Sequence, residues 1–322
     1  MKRHTCCAFL VALTASTFAF AEGPIDGEVY GRINISLDKV DREDDVGTPT
    51  DLDEWQLNSN ASRFGFKGET VLDGSLSVIY QVEWEVDVDA DETDLGPRNR
   101  FIGLKGEWGT ILAGRHDTPT KLIGKRFDLF NDLFADIRST FEGENRISNI
   151  VMYTAPTFSN VTATVMFIPG EDSANGNDGI NDGVSVSVEV DLLENLYLGL
   201  SVDRDVDGQD LERLVVQYTV GDFVIAGLFQ QNEDDIFTQD ESGFAASVAY
   251  TVGANTFKFQ AGQIDNDAPG GTFADEESIT FGYDRKLGDN TTFFSYLTMD
   301  EDSVPGADDE FTVIGAGIEH RF

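Results

Sequence analysis

From Gly27 to the terminal Phe322 the chain repeats one pattern: short segments of alternating apolar and polar residues, separated by polar turns. Successive side chains of a β-strand point to opposite faces, so a period of two selects strands with one apolar and one polar face. Gly27 to Leu37 shows it plainly, with Val29, Gly31, Ile33, Ile35 and Leu37 on one face and Glu28, Tyr30, Arg32, Asn34 and Ser36 on the other. The rhythm continues at 62–71, 75–86, 100–108, 110–115, 147–155, 161–169, 184–190 and 196–203, then at 211–220, 223–231, 243–252, 256–264, 278–287, 292–299 and 311–322. That makes sixteen segments.

The connections sort by length. Short ones, among them Asp73-Gly74, Gly109, Ser159-Asn160 and Gly221-Asp222, alternate with long ones at 38–60, 87–98, 116–146, 170–182, 204–210, 232–242, 265–277 and 300–310, nearly all acidic. Tight turns on one rim and long loops on the other is the layout of a transmembrane barrel, and a soluble sandwich has no reason to adopt it. An even strand count also brings both chain ends to the same rim, so that the first strand can pair with the last. The fold class expected is all-β: a sixteen-stranded antiparallel transmembrane β-barrel.

Composition narrows the function. Residues 1–21 read as a secretory signal: Lys2, Arg3 and His4, an apolar stretch from Ala8 to Phe20, and Ala19-Phe20-Ala21 before an expected cleavage ahead of Glu22. That leaves 22–322 for the barrel. Both cysteines, Cys6 and Cys7, fall in the signal, so the barrel closes without disulfides. A formal net charge of −37 excludes nucleic acid as a partner, because a phosphate backbone needs a basic footprint. No apolar run long enough for a membrane helix follows the signal. Barrel strands of about 9–11 residues escape such a search. Only His116 and His320 remain after the signal, with no nucleophile elbow around a serine, which argues against an enzyme.

One stretch breaks the rhythm. Between His116 and Arg146, Phe130, Leu133, Phe134, Ile137 and Phe141 stand at offsets 0, 3, 4, 7 and 11, the spacing of one helix face. A long insert between strands with an apolar stripe is expected to be ordered and functional.

The pieces EVYGRINISLD near the start, SRFGFKGE at 62–69, RFIGLKGEWGTILAGRHDTP at 100–119 and IGAGIEHRF at the end occur in order and at their usual spacings. In these the chain resembles the Gram-negative general diffusion porins, the sixteen-stranded trimeric class, over its whole mature length. The resemblance implies an outer-membrane homotrimer passing small polar solutes by passive diffusion. It also implies that 116–146 is a third loop folded into the barrel, and that Phe322 ends an assembly signal read by the barrel-insertion machinery. The familiar Pro-Glu-Phe-type loop tip is absent.

Arg32 and Arg63 sit on the polar faces of their strands, and Arg100 and Arg115 join them if Phe101 and Leu112 face outward. Asp128, Asp132 and Asp136 recur every four residues beside the apolar stripe of the expected helix. Facing rows of opposite charge would set a transverse field across a narrow aqueous gap, favouring polar solutes. The acidic loops argue for mild cation preference. They also offer oxygen ligands at 85–95 and 175–183 for divalent cations or for bridging lipopolysaccharide, without the spacing of a dedicated calcium loop, and no resident cofactor or metal site is expected. The alternative is a substrate-specific sugar or anion channel of the same fold.

Overall fold

The computed structural model describes residues 27–44, 51–90, 95–171, 179–234, 239–266, 275–304 and 307–322. The expected signal at 1–21 and parts of the acidic segments, 91–94 and 175–178, lie outside them.

The described strands are β1 (Gly27–Asp44), β2 (Leu52–Ser59), β3 (Arg63–Asp73), β4 (Leu76–Val86), β5 (Leu95–Gly106) and β6 (Gly109–Asp117). After the insert come β7 (Arg146–Thr154), β8 (Val161–Ile168), β9 (Gly183–Leu193), β10 (Leu196–Val206), β11 (Gln209–Val220) and β12 (Phe223–Asp234). The series ends with β13 (Gln239–Val252), β14 (Asn255–Asn266), β15 (Asp275–Lys286), β16 (Thr291–Val304) and β17 (Ala307–Arg321). Each strand pairs antiparallel with its neighbours, and β1 closes the sheet on β17 from Arg32↔Arg321 to Asp44↔Asp309. Closure gives the first and last strands partners on both sides, which is what lets a sheet cross a bilayer.

β2 and β3 are two halves of one barrel strand, so the barrel is sixteen-stranded. Both pair with β1, from Ile35↔Ser59 upward and from Arg32↔Arg63 downward. Between those pairs three residues, Asn60 to Ser62, face two, which is a β-bulge with Ala61 at φ 48°. The bulge turns two carbonyls toward Arg32, whose Nη2 donates to Asn60 O at 2.8 Å and to Ala61 O at 3.2 Å.

Four expected loops are corrected: 232–242 and 300–310 are mostly strand, since β12 runs to Asp234, β13 starts at Gln239, β16 runs to Val304 and β17 starts at Ala307. Residues 38–60 are mostly strand, because acidic side chains do not stop a backbone from pairing: Asp38–Arg42 pairs with both β17 and β2, and β2 is held by β1. The segment 204–210 closes in a tight turn, with Asp207 at φ 59° and Gly208 at φ 81°. Two consecutive positive φ values define the hairpin turn that Asp-Gly favours.

The two sheet faces differ as alternation requires. Val29, Ile33, Leu37, Phe64, Phe66, Ile102, Leu104, Ile225, Phe229, Phe281 and Ile314 are exposed on one face, and this continuous apolar band is the surface a bilayer takes. Phe322 lies on it against Gly31, where any side chain would overlap the phenylalanine ring. Residues of the other face, such as Arg32, Asn34, Arg213, Gln230, Ser247 and Gln260, are buried and polar.

Candidate functional site

The insert between β6 and β7 is ordered, but it is not the helix its spacing predicts. Its only α-helix is α1 (Pro119–Gly124), capped by the Thr118 side chain and opened by proline, and Ile137–Ser139 form a single 3₁₀ turn. Two aspartates divert the backbone. Asp128 Oδ1 accepts from Phe130 N at 2.9 Å, and Asp136 accepts from Asp132 N at 2.6 Å and Arg138 N at 2.9 Å. Such local side-chain bonds offer the amides an alternative to helix. The apolar stripe then divides. Ile123, Phe127, Ile137 and Phe141 pack with Tyr197, Val215, Leu228 and Ile264, whereas Phe130, Leu133 and Ala135 pack with Val40, Phe294, Tyr296 and Val313.

Side chains of the sheet's polar face hold the insert's backbone. Arg213 is the main anchor, with no exposed side-chain surface: Nη1 pairs with Glu144 at 2.6 Å, Nη2 donates to Glu142 O at 2.5 Å, and Nε donates to Gln230 at 2.8 Å. Gln230 Nε2 also donates to Glu142 O at 3.1 Å. Thr120 donates to Asp203 at 2.6 Å, and Ser247 donates to Phe127 O at 2.8 Å. Gln260 Oε1 accepts from Leu129 N at 3.0 Å, and Lys258 Nζ donates to Leu129 O at 3.0 Å. Five consecutive strands, β10 to β14, thus grip the segment. Nothing marked these residues out by spacing, although Arg213 between outward Leu214 and Glu212 is a charge on a face otherwise built of Leu211 and Val215.

The charge cluster forms where the insert reaches β1 and β3. Asp132, at φ 69°, accepts from Arg32 Nη2 at 2.5 Å and lies 3.5 Å from Arg63 Nη1. Burial pushes its carboxyl up, but Arg32, Arg63 and Arg98 outweigh this and hold it below the usual carboxylate range. Arg98 extends the row, paired with Glu83 at 2.7 Å and Glu85 at 2.5 Å. It escaped notice in the sequence because it falls in a stretch that reads as loop. Asp128 and Asp136 are not part of this row. Asp136 is committed to backbone amides and Asn131. Asp128 is half-buried, and desolvation together with the Asp136 charge raises its pKa well above normal.

Arg100 and Arg115 are not brought to the row either, and here the expectation is reversed. Phe101 and Leu112 pack with Ile150, Met152 and Met166 on the face that carries the insert. Arg100 and Arg115 pair with each other across β5 and β6 on the opposite face, that of Ile102, Leu104 and Ile111. Apolar residues on both faces of this stretch left alternation without a sign.

A closed antiparallel barrel with an apolar band on one face and a charged row on the other defines an outer-membrane channel protein. The chain belongs to the Gram-negative porin family, whose model matches residues 7–304. It is 25% identical over 288 residues to outer membrane protein U of Vibrio parahaemolyticus, covering 84% of this chain and 85% of that protein. It is 25% identical over 293 residues to the major outer membrane protein P.IB of Neisseria lactamica, covering 80% and 84%. In fold it is similar to an anion-selective porin from Comamonas acidovorans, with a TM-score of 0.75, 20% identity, and coverage of 92% and 99%. The protein is an outer-membrane porin of a Gram-negative bacterium and not an enzyme.

Proposed function

We propose that the protein is a homotrimeric general diffusion porin whose segment 116–146 lies inside each barrel and narrows it. The observation that carries this reading is the grip of β10 to β14 on the insert through residues of the face opposite the apolar band. In a closed barrel that face is the lumen. The narrowest part then lies beside Asp132 on the insert and Arg32, Arg63 and Arg98 on the wall, with Asp128 and Asp136 shaping the loop rather than meeting solutes.

The signal at 1–21 directs export, Phe322 on its strand serves assembly, and the long acidic connections face the exterior and the lipopolysaccharide. Charge at that mouth concentrates cations, whereas the arginines act locally and are little screened at the constriction; the Debye length is about 10 Å at 0.1 M salt. The acidic mouth is expected to prevail, giving mild cation preference. Reversal potentials in a potassium chloride gradient across a planar bilayer test this. A clear chloride preference would overturn it and assign control to Arg32, Arg63 and Arg98.

A further inference from the structure

A cavity of 290 Å³ lies between residues 128–133 of the insert and the wall strands β1 and β14 to β17, toward the rim of short turns. Its charges are already paired. Arg32 holds Asp132 at 2.5 Å and Glu319 at 3.2 Å, Lys258 holds Asp284 at 3.0 Å, and Arg321 holds Glu319 at 2.7 Å. Asp128, a further carboxyl of the lining, sits where desolvation disfavours its charge. What remains are single polar atoms. Arg32 is 7% exposed and Asn34 3%, yet Arg32 Nε, a donor, and Asn34 Oδ1, an acceptor, have no hydrogen-bond partner. Leaving buried polar atoms unpaired is costly, so both call for a partner in the cavity they line. The Thr292 hydroxyl stands close by, since Asn34 and Thr292 both face Glu319 in register across β1, β17 and β16.

Aromatic rings complete the lining. Phe294 rests against Gly317 and Phe130 against Gly282, where any side chain would overlap the rings. Both rings are therefore seated in the wall beside the free polar atoms. An aromatic surface with a few convergent polar groups is the make-up of a small-molecule site. The existing ion pairs select among solutes. An anion would have to compete with Asp132, Asp284 and Glu319 for cations they already hold, and a cation with Arg32, Lys258 and Arg321 for the carboxylates. A neutral polyhydroxylated ring needs neither. Each hydroxyl both donates and accepts, so one ring can serve Arg32 Nε and Asn34 Oδ1 together, while its C–H face lies on a phenyl ring. It would take the place of several waters, each with a share of about 30 Å³.

We infer that this cavity is a weak binding site for a neutral monosaccharide, held by Arg32 Nε and Asn34 Oδ1 beside the insert. This rests on the porin reading, which puts the cavity in the path of solutes. The test is single-channel recording in potassium chloride with D-glucose titrated in, and with glycine or sodium phosphate as the comparison solutes. In wild-type protein glucose is expected to add current noise that saturates with concentration, and glycine and phosphate to add none. Asn34→Ala removes one hydrogen bond and should raise the half-saturating glucose concentration about fivefold. Thr292→Trp fills the cavity while sparing Arg32 and Asn34, and should abolish the saturable noise. Glucose noise that rises without saturation, or saturates alike in all three proteins, would overturn the site and leave the cavity to water. Saturable noise from phosphate or glycine but not from glucose would overturn the assigned solute class. Failure of the porin reading itself would show separately, as absence of conductance in wild-type protein before any solute is added.

Discussion

Replacing Arg213 with alanine is expected to release the insert while leaving the barrel folded. The change strands Glu144, whose side chain is nearly enclosed, with only Lys121 near, at 3.9 Å, and removes a donor from the Glu142 carbonyl. Breaking a buried pair by deleting one partner costs about 3–5 kcal/mol, because the remaining charge keeps its desolvation penalty. That loss falls on the anchorage of the insert, since the barrel's own ladder is untouched. Single-channel recordings should show higher mean conductance with flicker between levels. A steady wild-type conductance in a correctly folded variant would mean that Arg213 does not hold the loop.

Asp132→Asn should move selectivity toward chloride without altering the loop. Asparagine tolerates the left-handed backbone that residue 132 adopts at φ 69°, so the substitution changes charge alone. Arg32 keeps Glu319 at 3.2 Å, while Arg63 is left with Glu83 at 4.0 Å. One unit of charge a few ångströms from a passing ion in water corresponds to about 1 kcal/mol. The chloride-to-potassium permeability ratio should therefore rise roughly three- to fivefold. Acid should mimic the substitution late. A carboxyl held below its usual range keeps its proton off above about pH 4 and loses its charge only as pH falls further, so the difference in ratio between wild type and variant should persist down to that point and close below it. An unchanged ratio in the variant would remove Asp132 from the solute path.

The strands were legible because a half-exposed strand must alternate, as VSVSVEV at 184–190 does. Their upper ends were not. From Asp38 to Arg42 the first strand carries charge on a backbone that pairs on both sides, and acidity masked the pairing. In the insert the buried positions Phe130, Leu133, Ile137 and Phe141 could be picked out, but their conformation could not. A spacing of 3 and 4 is also produced by successive turns whose amides bond to Asp128 and Asp136. The polar faces of Arg32 and Arg63 were readable because Ile33, Phe64 and Phe66 are unambiguous neighbours. Arg100 and Arg115 were not, since Phe101 and Leu112 are apolar on the face that carries the insert. Arg98 and Arg213 depend on contacts between residues far apart in the chain, which no local pattern encodes.

The central claim is that 116–146 narrows a water-filled channel. The most direct measurement is single-channel conductance with neutral polymers of graded size, in wild-type protein and in a variant with residues 125–138 replaced by a short glycine-serine link. The account predicts higher conductance and entry of larger polymers in the shortened variant. Equal conductance and an equal size cut-off in the two proteins would contradict it.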